Sequence, residues 1–203
     1  VPTIEVFADV ACPFTHVGLR RFVQRRHELG RDDVRLHVRS WPLEIVNGRP
    51  LDATFIAEEV DEIRPQVGGS LFVGFRQDAF PASSLAAMSL AAAAYAVDDA
   101  TGELVSLALR DLLFEQGIDI ADPGVLAGVA AEHGITADLT DHTAVLAEHL
   151  SGVERGVIGS PHFFTAGGSF FCPSLDISRD AQSHLRITAD AGFDAFVDAC
   201  LAS

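Results

Sequence analysis

Lysine is absent from the 203 residues: all 14 basic side chains are arginine, set against 29 acidic ones, for a net charge of −15 and a pI near 4.7. Nucleic acids and anionic membrane surfaces both require basic patches, so neither is expected as a partner. Cysteine is scarce, with three residues and no close pair, which excludes a disulfide framework and points to a reducing, cytoplasmic setting. No uninterrupted apolar run reaches the roughly 20 residues of a membrane span, and the first residues already read as a strand, so no secretory leader is visible. His133, His142, His149 and His184 show no i, i+4 ligand spacing with one another or with the cysteines, so no metal is expected. What the chain has in quantity is apolar surface, 48% hydrophobic residues, enough for one sizeable core or two small ones.

The stretch Asp9-Val10-Ala11-Cys12-Pro13-Phe14-Thr15-His16 lies between an apolar run, Ile4 to Phe7, and an amphipathic helical pattern. Pro13 suits the first helical position, where its missing N–H costs nothing, and Cys12 then sits at a helix N-terminus among unpaired N–H groups. That setting stabilises a thiolate, and Thr15, one turn on, can present its hydroxyl to the sulfur. On this basis Cys12 is expected to titrate near neutral pH, alone among the three cysteines. His16 reads either as a modulator of the thiolate or as a surface histidine, and Asp9 either tunes Cys12 or bonds backbone at the strand end.

A first helix over 13–29 and a second strand over 34–41, where Val34, Leu36 and Val38 alternate with Arg35, His37 and Arg39, complete a βαβ unit, so the chain is α/β with Cys12 at the carboxyl end of a strand, where such sheets bind ligands. From Leu51 to Arg155 the pattern is helical only. Segments start at Leu51, at Ser83 or Ser84, at Thr101, at Asp122-Pro123 and at Thr140 or Asp141; the third carries Leu104, Leu107, Ala108 and Leu112, the last Val145, Leu146, Leu150 and Val153. Between the first two, Phe72, Phe75 and Phe80 fit a hydrophobic lid or core filling equally. Strand character returns at 161–166 and 169–172 around Gly167-Gly168, a hairpin signal that would set Phe164 opposite Phe171 and Phe163 opposite Cys172. Phe193, Phe196, Val197, Cys200 and Leu201 form one apolar helical face, which makes Cys200 a core residue. Residues 176–187 carry no clear pattern.

The early Asp9-x-x-Cys12-Pro13, the helical block and the late Gly159-Ser160-Pro161 together resemble the DsbA-like thioredoxin-fold family, which includes the DsbA-like oxidoreductases, kappa-class glutathione transferases and 2-hydroxychromene-2-carboxylate isomerases. The resemblance implies a thioredoxin-fold domain over 1–50 and 156–203 interrupted by a helical domain over 51–155. It implies a cis Pro161 beside the active-site sulfur and a Ser160 that offers backbone groups to an extended thiol. Pro13 and Phe14 would border that thiol, and Ser174 with Asp176 resemble a pair that binds the γ-glutamyl end of glutathione. Two departures matter. Thr15 stands where the redox members carry a second cysteine, and Cys12 where the transferase members usually carry serine.

Three function classes follow. One is an oxidoreductase that works as a monothiol through Cys12, by a mixed disulfide with glutathione, another small thiol or a protein, with no tightly bound cofactor. A second is a glutathione-type transferase or isomerase in which Cys12 or Thr15 orients a bound thiol. The third is a peptide-binding protein without catalysis. The hairpin arithmetic adds Cys172, about 7 Å along the strand from the level of Pro161, as a displaced resolving cysteine or a buried strand residue.

Overall fold

The computed structural model describes residues 3–180 and 185–202. Its centre is β1 (Thr3–Ala8), whose Val6, Phe7 and Ala8 are buried because a strand flanked on both sides has no solvent face. β1 runs parallel to β2 (Arg35–Ser40), with Thr3 opposite Arg35 and Ala8 opposite Ser40, and the crossover between them is α1 (Pro13–Glu28). On its other side β1 pairs antiparallel with β3 (His162–Thr165), which pairs antiparallel with β4 (Gly168–Phe171), for a sheet order β2-β1-β3-β4. That is the pairing the thioredoxin-fold resemblance implies.

The hairpin register differs from the expected one. The two-residue turn is Ala166-Gly167, so Phe164 faces Ser169 and Phe163 faces Phe170. Thr165 closes it: its hydroxyl accepts from Gly167 N (3.1 Å) and donates to Gly168 O (3.3 Å), while Gly168 takes φ 130° as the first residue of β4. One consequence reaches the site. Cys172 comes level with Pro161, not about two residues from it, and its amide donates to the Pro161 carbonyl at 2.8 Å.

The unpatterned stretch forms a second, two-stranded sheet of β5 (Leu175–Arg179) and β6 (Leu185–Ala189). His184 lies outside the described residues. The closing helix, α8 (Phe193–Leu201), packs on α1 through a bidentate ion pair from Arg25 to Asp198 (2.7 and 2.8 Å) and through Phe193, Val197, Cys200 and Leu201. Between α1 and the sheet, Phe22 stacks on Phe163; both are wholly buried, worth about 1.5–3 kcal/mol each. Gly18 lets α1 come this close, since a Cβ there would lie 3.2 Å from Ser174 Oγ and 3.7 Å from the Pro161 ring.

Between β2 and β3 the chain is helical: α2 (Leu43–Val46), α3 (Ala53–Ile63), α4 (Leu85–Val97), α5 (Asp99–Phe114), α6 (Pro123–Glu132) and α7 (Thr143–Glu154). The caps are carboxylates more often than the hydroxyls expected. Asp52 accepts from Thr54 N and Phe55 N, Asp98 from Thr101 N, and Asp122 from Gly124 N and Val125 N. Ser84 begins α4 without a side-chain cap, because its hydroxyl is turned to Asp9 and Glu44. Phe72, Phe75 and Phe80 fill core and form no lid: Phe72 is fully buried against Phe114, and Phe75 stacks on Phe114. The same apolar cluster takes in Val10, Ala11, Cys12, Phe14 and Val17, so the helices and the loop that carries Cys12 share one core. Among the described residues no helix is long and apolar enough to cross a membrane.

Candidate functional site

Cys12 is the N-cap of α1, extended at φ −85°, ψ 118°, with Pro13 in the first turn, as the sequence predicts. Its sulfur lies across the chain on the Ser160-Pro161 bond, which is cis, and donates to the Ser160 carbonyl at 3.3 Å. The Ser160 hydroxyl in turn accepts from Asp9 N (2.9 Å) and pairs with the Thr15 hydroxyl (2.8 Å). Strand β1, helix α1 and the turn before β3 therefore converge on one serine. Pro161 backs this arrangement from the α1 side, beside Gly18.

Cys12, Pro13, Phe14 and Ser160 line a cavity of about 650 Å³, bounded opposite them by Asn47, Arg49 and Leu51 and by Phe55, Ile56 and Glu59 of α3. Phe171 and Ile177 close one side. The volume suits a drug-sized or tripeptide-sized ligand, and the walls are chiefly apolar with a few polar groups. Arg49 is exposed at its rim and forms no ion pair among the described residues, so its guanidinium is available to an anion.

The electrostatics depart from expectation. Cys12 is only 2% exposed, and burial pushes its thiol pKa up, an effect that the Ser160 and Thr15 hydroxyls and the Thr15 amide oppose without overcoming; Glu59 raises it further. The expectation of a thiol titrating near neutral pH is therefore corrected: desolvation outweighs the helix N-terminus. Burial also raises Cys172 to about 12 and Cys200 to about 11.

His16 is neither at the surface nor on the sulfur. It is wholly buried, with Nε2 2.6 Å from Glu115 Oε1 and its ring against Phe72 and Phe114, and burial lowers its pKa. Asp9 bonds backbone: its carboxylate accepts from Ala11 N (2.8 Å) and Leu43 N (2.7 Å) and from the Ser84 hydroxyl (3.2 Å). Ser174 is fully buried beneath Gly18 and Asp176 is exposed on β5; neither lines the cavity. The Ser174 carbonyl instead accepts from Arg21 and from Asp190 N.

Arg110 was invisible to sequence reasoning. The expected apolar face of α5 held Leu104, which is 58% exposed; the buried stripe is Val105, Ser106, Leu109, Arg110 and Leu113. Arg110 donates to Ser106 O and Oγ and to Asp9 O (3.1 Å), the carbonyl that also receives the Cys12 amide (3.4 Å). Burial lowers its pKa to about 10, while Tyr95, Asp9 and Cys12 favour its charged form. The Ser106/Arg110 spacing of i, i+4 is the one sequence signal that could have found it.

Comparison with solved structures returns the same architecture. The cytosolic disulfide reductase DsbM from Pseudomonas aeruginosa superposes with a TM-score of 0.63 at 14% identity over 98% of each chain. A 2-hydroxychromene-2-carboxylate isomerase gives 0.61 at 15% identity, over 83% of this chain and 88% of that one. A probable DsbA oxidoreductase from Streptomyces coelicolor gives 0.56 at 22% identity over 79% of both. No curated protein matches the sequence. The DSBA-like thioredoxin domain model matches residues 3–183, taking in the Cys12 loop, the cis-proline turn and every helix between them, so the chain belongs to the DSBA-like thioredoxin-domain family.

Proposed function

We propose that the protein is a thiol–disulfide oxidoreductase that acts through Cys12 on small disulfides, with glutathione or a similar thiol as co-substrate. The observation that carries this is the Cys12 sulfur held on the Ser160 carbonyl at the wall of a cavity, with Thr15 in place of a second cysteine in the Cys12-Pro13-Phe14-Thr15 turn. The Cys12 thiolate attacks one sulfur of a bound disulfide. The other sulfur departs as a thiolate, and the mixed disulfide at Cys12 is released when a further thiolate attacks it.

Ionisation of Cys12 breaks its hydrogen bond to Ser160 O and leaves the anion to the Thr15 hydroxyl, the Thr15 amide and the α1 N-terminus. The Asn47–Arg49 wall offers a carboxylate-bearing thiol its cation, and the DsbM structure with glutathione bound (TM-score 0.61, 15% identity) is a fold relative with such a ligand. A reducing, cytoplasmic setting is part of this reading, since three cysteines with no close pair in the sequence fit such a compartment.

One observation favours a second reading, a transferase or isomerase: the thiol is buried and raised while Phe14, Phe55, Phe171 and Ile177 offer an apolar substrate a wall. The experiment is glutathione-dependent exchange with a small dialkyl disulfide, compared between the parent and Cys12→Ser. Loss of exchange in a folded Cys12→Ser protein is expected. Retention of exchange overturns the oxidoreductase, and glutathione conjugation or isomerisation that survives the substitution supports the second reading.

A further inference from the structure

Cys172 hangs from the same dipeptide as Cys12. The Cys12 sulfur is on the Ser160 carbonyl, and the Cys172 amide is on the next one, that of Pro161. Both cysteines lie in one apolar cluster, and a charge on Cys12 is felt at Cys172, where it opposes ionisation. Cys172 opens the turn between β4 and β5, closed by Leu175 N on its carbonyl at 3.5 Å, and holds φ +43° there, a left-handed backbone that a non-glycine residue rarely takes and that fixes where its side chain starts. Its neighbour Phe171 lines the cavity and covers Gly159.

We propose that Cys172 is the resolving cysteine of the exchange reaction, taking the place of the missing cysteine at Thr15. The inference rests on Cys12 as the nucleophile. In the mixed disulfide, the Cys172 sulfur gives up its proton and attacks Cys12 Sγ. A Cys12–Cys172 bond forms, the bond from Cys12 to the substrate sulfur breaks, and the substrate leaves with that electron pair as a thiolate that takes up the proton. Two electrons have then passed from the two protein thiols to the substrate disulfide. Two molecules of a small thiol such as glutathione return them, one forming a mixed disulfide and the second leaving as glutathione disulfide.

The charged and titratable groups around the pair are Asp9 on its loop, Glu59 from α3, Arg110 from α5 and Asp176 from β5. A thiol raised to about 12 is ionised to about one part in 10⁵ at pH 7. Effective molarities of about 10⁵–10⁸ M for a well-positioned neighbour are large enough to offset this, and a high-pKa thiolate is the stronger nucleophile. The mixed disulfide also removes the Cys12 anion that contributes to the rise.

The test is the reduced protein treated with glutathione disulfide, quenched in acid, and read by intact mass and non-reducing peptide mapping, for the parent, Cys172→Ser and Cys172→Ala. The parent is expected to lose the mass of two hydrogens, retain no glutathione and yield a Cys12–Cys172 cross-linked peptide. Both variants are expected to keep one glutathionyl group on Cys12; alanine serves if the buried serine hydroxyl prevents folding. A parent that accumulates the Cys12 adduct as fully as the variants, with no cross-link, overturns the resolving role and leaves Cys12 as the nucleophile. If no protein carries glutathione or a cross-link at Cys12, the nucleophile itself is wrong and the inference falls with it.

Discussion

Thr15→Val removes a hydroxyl from the centre of the site with almost no change of shape, so it isolates what that oxygen does. Thr15 is wholly buried, and its hydroxyl pairs with Ser160 Oγ at 2.8 Å while also acting on the Cys12 sulfur. In the variant, the largely buried Ser160 hydroxyl keeps the Asp9 amide and loses the Thr15 hydroxyl. An unsatisfied buried polar group costs about 1–3 kcal/mol. For a chain of 203 residues each kcal/mol lowers the melting temperature by about 2–4 °C, so a central value of about 2 kcal/mol predicts a fall of about 4–8 °C. Cys12 alkylation by iodoacetamide slows as well, since the thiolate loses a donor. Thr15→Ser keeps the oxygen, gives up one methyl, and is expected to alkylate at the parental rate. If Thr15→Val alkylates as fast as the parent, or is no less stable than Thr15→Ser, the hydroxyl does not hold the sulfur and the account of the site is refuted.

Two further predictions concern pH. Because burial holds the Cys12 thiol above its ordinary range, its alkylation rate is expected to rise about tenfold per pH unit from 6.5 to 8.5; a plateau within that span would mean the helix N-terminus prevails after all. The second concerns His16 and Glu115. Burial lowers His16; at Glu115 burial acts upward, but the His16 bond and the Phe72 and Val73 amides bring the carboxyl below its usual range. Both folded pKa values lie below the unfolded ones, so the unfolded chain takes up protons first, and stability present at neutral pH is lost as pH falls below about 6.5 and then through the carboxylate range. Asp9, raised by burial, works in the opposite sense. Because Glu115 opposes the fall of the His16 pKa, Glu115→Gln is expected to lose more melting temperature than the parent from pH 7 to pH 5; an equal loss in both refutes the pairing.

The parts of this site legible in the sequence are those fixed by local rules. Cys12 at a helix start follows from Pro13 and the preceding apolar run, and the cis turn follows from the family resemblance at Ser160-Pro161. What escaped depends on residues distant in the chain. The helix start alone favours a low-pKa thiol; the α3 side of the cavity reverses this, its apolar side chains desolvating the sulfur and the Glu59 charge opposing its ionisation. His16 lies one residue beyond Thr15, and its inward turn depends on Glu115 at the C-cap of α5 and on the Phe72 and Phe114 rings. Leu146, Leu150 and Val153 of α7 share a helical period with Val145, yet they are 45%, 61% and 55% exposed, because a period marks a stripe and not the side on which neighbours pack.

The bonds of Asp9 and Ser160 have a consequence for how the protein comes into being. Asp9 is tied to Leu43 and Ser84, its carbonyl to Arg110, and its amide and the Cys12 thiol to Ser160, contacts that span 34 to 151 residues of chain. In a polypeptide made from its N-terminus, Cys12 is exposed 148 residues before Ser160 is supplied. Through that interval the thiol has neither its carbonyl partner nor the walls that desolvate it, and it ionises as an ordinary cysteine. Protection of the Cys12 thiol from stray oxidation is thus a property of the finished fold alone, and the nascent chain depends for it on its surroundings.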